Sequence, residues 1–544
     1  MTGAQAIVEI FIEQGVDTVF GYPGGTVLPL YDALYKRRDV IRHVRTAHEQ
    51  GAAHAADGYA RASGKAGVCI ATSGPGATNL VTGIANAFMD SVPVVFITGN
   101  VELSLIGTDS FQEVDTTGIT LPITKHNWMV QSVSELPRII RQAFAVADSG
   151  RKGPVLVDIP KDILQETIPA LPDAVSAAFA PPQIPVQAFD GKTMQPTEIS
   201  LIADLLNRAK RPFILVGGGV RSSEASDILC RFAETLCAPV SCTLMAMGEI
   251  PNEHPLFIGN SGLYGNPEAR EAMEACDVLL AVGTRFSNRI MGQHHWESGP
   301  RPRVIHIDRD RAEINKIIPS DYFLVGDAKE ALTQLLGLLS DSRRAEGWSP
   351  IKKRPAAQKT EDRTAAMLSP NRIFPALRKI VGAEAYIVTD VGLHQIWTAN
   401  YYPFSRPGHL ITSGGLGTMG FGLGAAVGVQ LAHPEVPVVL VTGDGSFSMN
   451  CIELSTLHRM KLPILIVLMN NGALGMVKQI QKRMYGRRYA ESELRSPPSY
   501  VTIGRGYHVE SHVVRTLEAF ERYAALACIN RKAMLLDCRI GGTL

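Results

Sequence analysis

Val438-Val-Leu-Val-Thr-Gly443-Asp444-Gly445 and, after an interval of 24 residues, Asn470-Asn471 form the stretch from which the fold is read. The apolar run Val438 to Val441 predicts a buried strand and the Gly-Asp-Gly turn its end. A helix is expected from about Met449 to Met460, and a second strand over Ile464 to Met469. Strand, helix and strand in that order give parallel neighbours, and open parallel sheets bind ligands beyond the carboxyl ends of their strands. At that edge Asp444 offers a carboxylate and Asn471 an amide oxygen, which suit an octahedral Mg²⁺ that also takes phosphate and water. A backbone carbonyl at Ala473 completes the protein's share. Gly443 and Gly445 let backbone N–H groups approach a phosphate, and Ser446 opens the following helix beside it. A bare Gly-Asp-Gly is more often an ordinary tight turn; the placed amide pair is what points to a metal-bound diphosphate.

Working outward, 544 residues predict two or three domains. A composition of 45% hydrophobic and 19% charged residues is that of a globular protein. The formal net charge of +1 provides no field for nucleic acid or anionic membrane and favours small-molecule chemistry. The eight cysteines show no CxxC spacing and read as buried thiols in a reducing compartment. No secretory signal and no long uncharged apolar stretch is read, so a cytoplasmic location is expected.

Leu171 to Pro196, rich in Pro and Ala, and Ser340 to Arg363, charged with Pro350 and Pro355, read as linkers. They divide the chain into domains of residues 1–170, 190–340 and 365–544. The outer two echo each other. Thr72-Ser-Gly-Pro-Gly opens a small-residue helix leading to Pro93-Val-Val-Phe-Ile-Thr-Gly, as Thr412-Ser-Gly-Gly-Leu leads to Pro437-Val-Val-Leu-Val-Thr-Gly. The fold class is therefore α/β, with three doubly wound parallel-sheet domains.

Several further segments carry a resemblance. Ser413-Gly-Gly-Leu-Gly-Thr-Met-Gly-Phe-Gly, Thr108-Asp-Ser-Phe-Gln-Glu, Ile123-Thr-Lys-His, Gly153-Pro-Val-Leu-Val-Asp-Ile-Pro-Lys-Asp and Val304-Ile-His-Ile-Asp resemble the catalytic subunit of acetohydroxyacid (acetolactate) synthases, from Thr2 to about Glu493. This thiamine diphosphate (ThDP) family implies a pyrimidine-binding, a central FAD-binding Rossmann-like and a diphosphate-binding domain. It also implies Mg²⁺, a largely structural FAD, 2-keto acid substrates and a homodimer or homotetramer with intersubunit sites. A small regulatory subunit is a further implied partner.

The cofactor needs a carboxylate at its pyrimidine ring to favour the tautomer that removes the thiazolium proton, a case of general acid–base catalysis through a ring. Glu49, in His48-Glu-Gln-Gly-Ala-Ala-His, is the candidate and is expected to be buried ahead of an Ala/Gly-rich helix. Read alone it is an acid at a helix N-terminus. By resemblance, Val391, Gly392, Leu393, His394 and Gln395 contact the diphosphate, with Leu474, Gly475 and Met476 beyond the metal loop. Met419 supports the bent cofactor, and the Gly417 carbonyl accepts from its amine. Gly25 faces a developing oxyanion, Phe111, Gln112 and Lys125 line the substrate path, and Arg285 engages the second substrate's carboxylate. Phe111 alone would be read as core.

Three strand ends in the central domain, at Gly217-Gly218, at Gly283-Thr284 and at Asp308, are compatible with a dinucleotide, and with Asp327 and Arg151 they match FAD contacts. The chain departs from its relatives at Ala47, at Leu263-Tyr264, at Ser287-Asn288 and at Ile480, where biosynthetic members carry Trp. The Ile480 departure predicts a weak preference for 2-ketobutyrate over pyruvate as acceptor. The expected activity is decarboxylation of pyruvate and ligation to a second 2-keto acid, giving 2-acetolactate. The alternatives are a flavin-linked pyruvate oxidase, a decarboxylase or carboligase with another acceptor, and a catalytically silent homologue.

Overall fold

The computed structural model describes residues 1–168, 194–291, 300–340, 348 and 368–540. Nearly all of both expected linkers lies outside the described residues. Three sheets of six strands each, all parallel, form the architecture. The first contains β1 (Thr18–Gly21), β2 (Arg42–Arg45), β3 (Gly67–Ala71), β4 (Val94–Asn100), β5 (His126–Met129) and β6 (Val155–Pro160), in the order β2-β1-β3-β4-β6-β5. The second contains β7 (Pro212–Val216), β8 (Val240–Cys242), β9 (Phe257–Asn260), β10 (Val278–Val282), β11 (Arg303–Asp308) and β12 (Tyr322–Val325), in the order β12-β11-β10-β7-β8-β9. The third contains β13 (Tyr386–Thr389), β14 (Leu410–Thr412), β15 (Val438–Gly443), β16 (Leu465–Asn470), β17 (Glu510–Val514) and β18 (Met534–Arg539), in the order β14-β13-β15-β16-β18-β17.

The first and third sheets share one strand order once each is numbered from its own start, as the echoed motifs anticipated. Their central strands are buried along their whole length because helices cover both faces, which is why they read as continuous Val, Ile and Leu runs. The segment beyond Leu494 supplies β17 and β18 and so completes the third sheet.

Two element boundaries differ from expectation. The helix after the Gly-Asp-Gly turn starts at Asp444, runs to Asn450, and continues through a 3₁₀ turn, Cys451–Glu453, into Leu454–Met460. An extended Gly443 as N-cap and an acid in the first turn suit an N-terminus there. Likewise Glu49 is the first residue of the Glu49–Ser63 helix, capped by the His48 ring, which accepts the Gln50 N–H at 3.1 Å. That helix packs on Phe421–Ala432 so closely that a Cβ at Gly428 would lie 1.9 Å from the Ala55 carbonyl oxygen. Four cysteines, at positions 69, 242, 276 and 538, are buried and the other four half-buried, all as free thiols.

Candidate active site

At the carboxyl ends of β15 and β16, Asp444 is 2% exposed. Its Oδ1 accepts the Gly445 N–H at 3.0 Å and its Oδ2 the Gly472 N–H at 2.7 Å. Burial raises this carboxyl, and the backbone donors oppose the rise. The Asn470 amide donates to buried Asp537 at 2.8 Å, which fixes Asn470 in the sheet. The Asn471 Oδ1 accepts the Ala473 N–H at 3.2 Å. The loop is latched from the tail side: Leu474 N–H donates to the Ser492 carbonyl at 2.8 Å and Leu494 N–H to that of Gly472 at 2.9 Å. One carboxylate, one amide and a nearby carbonyl form a hard oxygen set of the kind Mg²⁺ takes. Among the described residues there is no competing cluster of three His, Cys, Asp or Glu.

A cradle surrounds this loop. Burial holds the His394 ring neutral, its pKa down at about 3, and its Nε2 is buried without a partner. A Cβ at Gly443 would lie 2.7 Å from His394 Nδ1, and one at Gly445 would lie 2.5 Å from Leu474 Cδ2. An unpaired buried nitrogen beside two obligatory glycines is the arrangement expected where ligand oxygens complete the hydrogen bonding. Ser446 Oγ donates to the Val391 carbonyl at 2.8 Å, joining the Gly443–Ser446 turn to the 391–395 turn. Leu393 abuts Gly475, where a Cβ would meet Leu393 Cδ1 at 2.4 Å. The Gln395 side-chain amide donates to Thr412 Oγ1 at 2.6 Å and the Ser413 carbonyl at 3.1 Å, which ties the 391–395 turn to the neighbouring loop.

The Ser413–Gly420 segment that carries Gly417 and Met419 is held from two sides. Asp390, raised by burial to about 6, accepts the Gly420 N–H at 2.8 Å. From the first domain, Asn86 Oδ1 accepts the Ser413 and Thr418 hydroxyls at 2.6 and 3.2 Å, while Asp90 accepts the Gly414 and Gly415 N–H groups at 3.0 and 2.7 Å. Arg61 pairs with Asp57 and Asp90 and donates to the Thr412 carbonyl at 2.9 Å. Gly417 is exposed and Met419 half-buried, so neither is simple core.

Glu49 lies at the other end of the first domain. Its Oε2 accepts the Asn79 amide at 3.0 Å, and a Cβ at Gly76 would lie 3.5 Å from its Oε1. The carboxylate is half-buried rather than enclosed, because one side of the Glu49 turn faces outward in the single chain. Thr72 ties this loop to the glycine turn, with its Oγ1 2.9 Å from Thr26 Oγ1 and its side chain filling the space a Cβ at Gly24 would take. Gly25 has open space beside it. Gln112, with φ +62°, backs against Gly74. Phe111 is 87% exposed, which overturns the core reading. The Lys125 ammonium donates to the carbonyls of Val146 and Ser149 at the end of the Leu136–Asp148 helix, and burial lowers it to about 8.

Between the three domains lies a cleft of about 1020 Å³, lined by Arg151, Gly217, Gly218, Gly283, Thr284, Arg285 and Asp308, and on its far wall by Val391, Gln395, Gly417 and Met476. The glycine turns nest, since a Cβ at Gly217 would lie 2.1 Å from the Gly283 carbonyl oxygen. Arg151 pairs with Glu313 at 2.7 Å, and burial raises Asp308 to about 6. Arg285 is half-buried and makes no hydrogen bond with the described residues. Asp327 departs from the expected set: it caps the Ala328–Leu336 helix and pairs with Arg309, beside the cleft wall rather than on it.

Asn79, Asn86 and Asp90 were not singled out from the sequence. Only their position in the helical stretch between the echoed motifs offered a signal.

Three family models match: the N-terminal TPP binding domain of thiamine pyrophosphate enzymes over residues 1–119, the central domain over 199–335 and the C-terminal TPP binding domain over 390–538. Thiamine pyrophosphate is the same molecule as ThDP. Among curated relatives, the Escherichia coli acetolactate synthase isozyme 2 large subunit is 44% identical over 95% of this chain and 91% of its own length. The isozyme 3 large subunit of the same organism is 41% identical over 100% and 95%, and the probable acetolactate synthase large subunit of Methanocaldococcus jannaschii is 42% identical over 99% and 91%.

Proposed function

Because the chain belongs to the acetolactate synthase large-subunit family of ThDP enzymes, we propose that it decarboxylates pyruvate and joins the two-carbon unit to a second 2-keto acid, giving 2-acetolactate for branched-chain amino-acid synthesis. The observation that carries this reading is the diphosphate edge, where buried Asp444 and the unpaired His394 Nε2 flank Gly443. These residues fit the cofactor: Asp444, Asn471 and the Ala473 carbonyl would hold Mg²⁺, and His394 with the 391–395 turn would meet the phosphates. When bound, ThDP would supply carbanion chemistry, offering a nucleophile to the keto carbon and an electron sink for the pair released with CO₂.

The chain's own groups do the rest. Glu49, fixed by Asn79, holds the ring proton that activates the cofactor. Gly25 presents its N–H to the substrate oxygen. Arg285, uncommitted among the described residues, offers a two-pronged grip for the acceptor's carboxylate. The central cleft fits FAD, with nested glycine turns for close backbone approach and Arg151 for phosphate, in a role that leaves the flavin structural. Half-open Glu49, exposed Phe111 and Met484, 75% exposed, support a site closed by a second copy of the chain. A cytoplasmic location and a small regulatory partner, suggested by the relatives' designation as large subunits, complete the reading.

The test is incubation of purified protein with pyruvate, ThDP and Mg²⁺ while acetolactate, acetaldehyde and oxygen uptake are followed together. Acetolactate as the main product is expected. Acetaldehyde alone points to a decarboxylase, and stoichiometric oxygen uptake to an oxidase.

A further inference from the structure

A buried acid of the third domain grips the chain immediately ahead of Glu49. Glu453 is 1% exposed and ends the 3₁₀ turn that follows the Asp444–Asn450 helix. Its Oε1 accepts the Ala47 and His48 N–H groups, each at 3.1 Å. Its Oε2 accepts the Ala47 N–H at 3.1 Å and the Thr456 hydroxyl at 2.6 Å. A Cβ at Gly51 would lie 2.0 Å from Oε1, so the first turn of the Glu49–Ser63 helix is shaped around this carboxylate.

A buried carboxylate is costly unless its oxygens are hydrogen-bonded. Here every hydrogen bond made across the domain boundary goes to the two residues that set where the Glu49 helix begins. The His48 ring caps that helix only if its backbone is held extended, and Glu453 holds the N–H groups that define that conformation. A carboxylate near the helix N-terminus is also favoured by the helix dipole.

We propose that Glu453 is the positioning residue for Glu49, fixing the activating carboxylate from the third domain through the Ala47–His48 backbone. The inference rests on the reading of Glu49 as the cofactor's carboxylate. Glu453 acts only on protein groups, so its loss moves Glu49 without removing any group from the diphosphate cradle.

Glu453→Gln keeps the side chain's shape but presents a donor to backbone N–H groups, whereas Thr456→Val removes only the hydroxyl that orients Oε2. For both, alongside wild type and Glu49→Gln, two quantities are measured: the ThDP dissociation constant by protein fluorescence, and exchange of the bound cofactor's C2 proton for deuterium by acid quench and proton NMR. Glu453→Gln should slow exchange by roughly tenfold or more, within the cost of a misplaced catalytic group, with the dissociation constant within about threefold of wild type. Thr456→Val should slow it less, in the same direction, and decides alone where Glu453→Gln does not fold. Wild-type exchange in both variants overturns the proposal, as does a loss that merely tracks weaker cofactor binding. Wild-type exchange in Glu49→Gln instead removes the assignment of Glu49, and the proposal with it.

Discussion

Glu49 and Asp444 are both carboxylates beside glycines, yet their surroundings suit them to different work. Asp444 is enclosed, with one backbone N–H on each oxygen, which orients the carboxylate and leaves a lone pair on each oxygen for a cation. Glu49 has a single amide partner and an open side, which leaves an oxygen for a ring nitrogen. Glu49→Gln should therefore lower kcat by about 10²- to 10⁴-fold, the usual contribution of a general acid or base, with little change in folding by circular dichroism. Ile480 is 45% exposed on the helix that follows the metal loop, where a larger ring would add a wall against solvent. Ile480→Trp should raise the acetohydroxybutyrate to acetolactate ratio in a pyruvate and 2-ketobutyrate competition by roughly 10- to 200-fold, the span open to one extra methylene in a pocket. An unchanged ratio would assign acceptor choice to other residues. Asp444 and Asn471 were legible because strand, turn and strand fix their spacing locally. Asn79 and Glu453 were not, because their partners are set by tertiary packing; the Glu453 contacts span up to 406 residues.

Strands were the elements most readily read, since a strand buried on both faces must be continuously apolar, as β15 and β16 are. Helix starts were less legible. Asp444 and Glu49 begin helices because of capping by an extended glycine and by a histidine ring, a geometry that apolar periodicity does not encode. The Ala/Gly richness of the Glu49–Ser63 helix did forecast close packing but not its partner, the Phe421–Ala432 helix. In that pair Gly58 faces Ala425 and Gly428 faces Ala55, at distances no side chain fits. Gly428→Val should force the helices apart at a cost of about 3 kcal/mol or more, the upper part of the overpacking range. A lowered melting temperature, with ThDP affinity reduced in step, is the expected result. A wild-type melting temperature would mean the pair yields at this point.

Across the whole molecule, the three domains meet at a buried charge network that no local pattern reveals. Arg61 serves both Asp57 and Asp90, and the charge left over is satisfied by Asn86 and by the Gly414 and Gly415 N–H groups. Burial raises Asp57 even with Arg61 beside it, and the Asn86 amide adds a hydrogen bond to its Oδ2 at 3.1 Å. Arg221, from the central domain, adds a bond of 2.7 Å to the Arg61 carbonyl, which brings all three domains to one point on the cleft wall. The same Ser413–Gly417 turn lines the cleft and leads on to Met419, so ordering it would serve both proposed ligand positions. Asp90→Ala would strand two backbone N–H groups and part of a guanidinium, at about 1–3 kcal/mol for each unsatisfied group. We expect Asp90→Ala to weaken ThDP binding and flavin retention together, measured by fluorescence titration and by absorbance after gel filtration. Loss of one with full retention of the other would show that the two sites are held independently, and that the turn is ordered from the Asp390 side alone.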